Sequence, residues 1–131
     1  KLICPIMDAR RDQVYTGLYE FKKDHASPCC YRLETILSGC AVSIDEIAER
    51  CNGLNREVIF LGDGVPVFGK RLGEILLSPY GFAPPHMNRQ RAAAFAFLAF
   101  QYMKEGKCVA AKDHAPVYLR MSQAERERNG G

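Results

Sequence analysis

The chain has 131 residues, 47% hydrophobic and 25% charged, the composition of one globular domain long enough to bury a core. Its net charge of +3 is too small to argue for nucleic-acid binding, and no apolar run is long enough to span a membrane. No signal peptide opens it. A start on Lys1 rather than Met, straight into an apolar strand, reads as a cut inside a larger protein, and Gly130-Gly131 as a frayed end. The cysteines, at 4, 29, 30, 40, 51 and 108, include no C-x-x-C pair, so they offer no zinc spacing. They read as reduced thiols of a cytoplasmic protein. His25, His86 and His114 are isolated in sequence and read as surface or loop residues rather than metal ligands.

In chain order, Leu2 to Met7 is an apolar run of strand length, expected to be buried on both faces. Gln13 to Lys22 alternates and is rich in Val, Tyr and Phe, the mark of a second strand. The polar Lys22 to Pro28 segment is a hairpin loop, and Cys29 to about Ile36 a third, weaker strand. Ser43-Ile-Asp-Glu46 has the spacing of a capping box. Ile44, Ile47, Ala48 and Cys51 follow on one helical face, and Asn52-Gly53 reads as that helix's end. Glu57 to Leu61 is a continuous apolar strand of the parallel-sheet kind. After the Gly62-Asp63-Gly64 turn a helix runs from about Pro66, with Phe68, Leu72, Ile75 and Leu76 on one side. Tyr80 to Pro85 is a short edge strand, and Asn88 reads as the cap of a long helix from Arg89 to Glu105, ended by Gly106. The resulting order, β-β-β-α-β-α-β-α, is the layout of an α/β, ribonuclease-H-like domain: a mixed sheet with helices packed on it.

Three stretches invite a functional reading. Met7 to Tyr15 carries Asp8, Arg10, Arg11 and Asp12 between two strands. The two aspartates could be an acid–base pair, but a short turn explains them better, with Asp8 bonding the turn backbone and Arg10 balancing it. Gly62-Asp63-Gly64 lies where a strand meets a helix N-terminus, a place that attracts anions. Asp63 opposes a phosphate there, so the favoured reading is a tight turn with Asp63 capping the helix. Gly64 to Lys70 matches G-x-x-x-x-G-K, yet Arg71 stands where a nucleotide loop needs a hydroxyl, and Pro66, Val67 and Phe68 fill the loop. Neither a G-x-S-x-G nor an H-E-x-x-H pattern occurs. The helix around Ala92 to Met103 is apolar nearly all round, which predicts cover on more than one side, part of it from a domain outside this sequence. The closing Ser122 to Gly131 is charged but balanced, a solvated end.

Two segments carry a family resemblance. Ile6 to Phe21, IMDARRDQVYTGLYEF, and His114 to Glu127, HAPVYLRMSQAERE, resemble the C-terminal half of the TsaB (YeaZ-type) proteins of bacterial tRNA threonylcarbamoyladenosine biosynthesis, relatives of the glycoprotease/TsaD family. Between them VIFLGDG (58–64) and APPHMNRQRAAAFAFLA (83–99) fall in the order that the family shows. The resemblance implies a two-domain parent of the actin/Hsp70/sugar-kinase superfamily. Residues 1–120 would be its second ribonuclease-H-like domain and 121–131 a charged tail. It implies a non-catalytic partner of the TsaD-type ATPase, joined by a TsaE-type ATPase, in modifying the adenosine next to the anticodon of ANN-reading tRNAs. On that reading no catalytic residue, metal or cofactor is expected, tRNA is met only indirectly, and self-association is left open. Asp8 and Arg10 would hold a family-typical turn, and Gly62, Asp63 and Gly64 are weak binding candidates. The rivals are a glycoprotease-like metal-dependent peptidase and an isolated nucleotide-binding half-domain.

Overall fold

Alternation decides the first strand. In the computed structural model, which describes residues 1–25 and 30–119, β1 (Leu2–Asp8) buries Leu2, Cys4 and Ile6 completely. Ile3 and Pro5 are only half-buried and Met7 is exposed, so β1 is buried on one face, not both as the apolar run suggests. An antiparallel partner, β2 (Gln13–Lys23), follows, and then β3 (Tyr31–Ser43). The third strand is longer than its sequence predicts. Ser38-Gly39 looks like a breaker, yet pairing with β2 continues through it, with register shifts around Leu18. Gly17 makes that irregularity possible, since a Cβ there would sit 3.0 Å from the Leu37 carbonyl oxygen. Cys29 and the tail beyond Leu119 lie outside the described residues.

Helix α1 (Ile44–Leu54) starts at Ser43, whose Oγ accepts from the Glu46 N–H at 3.1 Å. The Glu46 carboxylate is taken up by Arg50, one turn on. The helix does not stop at Asn52-Gly53. Asn55 takes the left-handed cap at φ 48°, and Asn52 is put to another use. Its Oδ1 accepts from the N–H groups of Leu77 (2.7 Å) and Ser78 (3.1 Å), and its Nδ2 donates to the Ile75 carbonyl at 3.0 Å. One side chain thereby ties α1 to the end of the next helix.

Strand β4 (Val58–Leu61) pairs parallel with β1, and α2 (Val65–Ile75) returns to β5 (Tyr80–Phe82), parallel to β4. The five-stranded sheet has the order β3-β2-β1-β4-β5. Leu2, Ile6, Val14, Leu18, Val58 and Phe60 from the sheet form one core with Ile47 and Cys51 of α1 and Phe68 and Leu72 of α2. The element order therefore follows the sequence: a mixed α/β arrangement with three helices. Cys4 sits in this core with its Sγ 3.4 Å from Thr16 Oγ1. The neighbouring Cys51 thiol and burial push the Cys4 thiol far above its ordinary range, so it stays protonated. Cys4, Cys30, Cys40, Cys51 and Cys108 are all free thiols.

The chain divides into two units, residues 1–88 and 89–131. In the second, α3 is Ala92–Lys104 with Arg91 as its N-cap. Asn88 instead closes a 3₁₀ turn (Pro85–Met87), its N–H donating to the Pro85 carbonyl, so it does not cap α3. Phe95, Phe97, Phe100 and Met103 of α3 are exposed. Among the described residues no helix is long and apolar enough to cross a membrane.

Candidate functional site

Parallel pairing of β1 and β4 brings together two stretches that lie more than 50 residues apart in sequence. Leu2 pairs with Val58 and Pro5 with Leu61, so the segments leaving the C-terminal ends of both strands emerge side by side. The turn after β1 carries Asp8 and Arg10; the turn after β4 is Gly62-Asp63-Gly64.

The first turn is tight and unusually left-handed. Arg10, Arg11 and Asp12 have φ of 63°, 56° and 56°, three consecutive residues in a region that costs most L-residues roughly 1 kcal/mol or more. Local bonds hold it. Ala9 N–H donates to the Gln13 carbonyl at 2.9 Å, and Gln13 N–H to the Arg10 carbonyl at 3.1 Å. The Asp8 carboxylate accepts from the Arg10 N–H (2.8 Å) and from its guanidinium (3.2 Å). The Asp12 carbonyl accepts the Ile44 N–H at 3.1 Å, which pins the turn to the start of α1.

The second turn wraps the same strand end. Gly62 has φ 109°, and Gly64 N–H donates to the Ile6 carbonyl at 3.0 Å. Asp63 does not cap α2. The helix begins at Gly64 with no side-chain cap, while Asp63 Oδ1 accepts the Asp8 N–H at 3.2 Å. Residues 65–75 are helical, so the G-x-x-x-x-G-K spacing forms a helix start and not a phosphate-cradling loop.

The five residues singled out by sequence, Asp8, Arg10, Gly62, Asp63 and Gly64, therefore form one hydrogen-bonded corner. The sequence treats them as two separate turns; the parallel β1–β4 pairing implied by the element order is the signal that joins them. Chemically the corner is a carboxylate clasp: Asp8 accepts from the Arg10 backbone N–H and Asp63 from the Asp8 backbone N–H. Asp12 contributes to the corner through its backbone. Among the described residues no group of three or more His, Cys, Asp or Glu is gathered to hold a metal ion. Gln13, unnoticed in the sequence, belongs here too; its Oε1 is enclosed with no hydrogen-bond partner among the described residues.

Replacing Asp8 with Ala removes the acceptor of the Arg10 N–H in a turn already strained. The expected loss is about 1 kcal/mol in urea unfolding, with Asp8→Asn losing less because one acceptor oxygen stays.

Comparison with known proteins gives this geometry a context. No protein-family model matches the chain. The fold is that of a mixed α/β protein solved by crystallography and described as an uncharacterized protein with similarity to peptidase YEAZ from Pseudomonas aeruginosa. The TM-score is 0.57 at 23% identity, over 91% of this chain and 49% of that one. The tRNA threonylcarbamoyladenosine biosynthesis protein TsaB of Bacillus subtilis is 31% identical over 124 residues, which is 95% of this chain and 49% of the relative. The chain is a homologue of the TsaB (YeaZ-type) proteins, and it spans about half the length of the curated relative it matches.

Proposed function

We propose that the chain is the second, ribonuclease-H-like half of a TsaB-type protein, working in the cytoplasm as a non-catalytic scaffold. Its partners on this reading are a TsaD-type ATPase, which carries the chemistry, and a TsaE-type ATPase. The product is threonylcarbamoyladenosine beside the anticodon of ANN-reading tRNAs. The observation that carries the proposal is the similarity to TsaB across 95% of the chain.

The corner supports a structural role. A catalytic carboxylate must be able to present an oxygen to substrate. Asp8 instead has both oxygens engaged by Arg10, and Asp63 Oδ1 is engaged by Asp8. A peptidase would also need a nucleophile with a base in reach, or about three ligands on a metal.

The test is nucleoside mass spectrometry of tRNA from cells depleted of the protein that contains this sequence. Loss of threonylcarbamoyladenosine, restored by re-expression of the intact protein, is expected. Normal levels of the modified base would remove the proposed role. In the same assay, an Asp8→Ala protein that stayed as stable as wild type yet abolished modification would show that Asp8 acts on substrate or partner rather than on the turn.

A further inference from the structure

We draw no further inference here: the strongest candidate, the exposed apolar surface of helix α3 formed by Phe95, Phe97, Phe100 and Met103, carries none because nothing in the structure shows what covers it.

Discussion

Gly62→Ala is expected to be among the most destabilising single substitutions in the chain, costing about 3 kcal/mol or more in chemical unfolding. Two independent causes act at the same atom. Gly62 has φ 109°, a conformation that residues with a Cβ rarely adopt. A Cβ there would also stand 2.2 Å from the Ile6 carbonyl oxygen, with the carbonyl carbon 3.1 Å away. That oxygen belongs to the backbone of a central strand and cannot swing aside like a side chain; it also accepts the Gly64 N–H that closes the turn. Relief therefore means moving β1 against β4, the pair on which the corner is built. Gly53→Ala is the internal control. Nothing lies within 4 Å of its Cβ position and it sits inside α1, so Ala should be neutral or stabilising by up to about 1 kcal/mol. A Gly62→Ala protein with wild-type stability would mean that the Gly62–Gly64 turn is not as described.

The contrast between those two glycines shows what the sequence could and could not tell. The order of strands and helices was legible, because period-2 and period-3.6 patterns are local properties of consecutive residues. Ser43 at the start of α1 was legible for the same reason. The end of α1 was not. Asn52-Gly53 has the chemistry of a helix terminus, but Asn52 is claimed by the 75–78 segment, a contact between residues more than 20 apart. Likewise Asp63 is a reasonable helix cap by local rules, and long-range pairing draws it to the Asp8 N–H instead. Nothing in the spacing of Arg10, Arg11 and Asp12 announces three left-handed residues in a row; that geometry is imposed by the ends of β1 and β2 and by α1 behind them. Local chemistry named the five corner residues, and topology decided what each of them does.

Phe60→Ala is the second large effect, with an expected cost of about 3 to 5 kcal/mol. Phe60 is fully buried on β4, the strand between β1 and β5, and is the largest of the completely enclosed side chains. Truncation leaves a void lined by strand and helix atoms that a close-packed core refills only in part. It also removes the tilted ring pair with Phe82, at 6.3 Å between centroids. Phe60→Leu keeps most of the volume and should lose roughly 1 to 2 kcal/mol, so the Ala–Leu difference reports the cavity and the Leu–wild-type difference chiefly the ring. The turn that follows the same strand begins two residues further on, at Gly62, which makes the substitution informative about the corner as well. If the corner is a structural clasp, hydrogen exchange of the Gly64 N–H, held by the Ile6 carbonyl in the core strand, should speed up in step with the global loss of stability. Faster exchange at Gly64 with the global midpoint unchanged would show that the corner opens by itself, and a clasp that opens independently of the core would not have the structural role proposed for it.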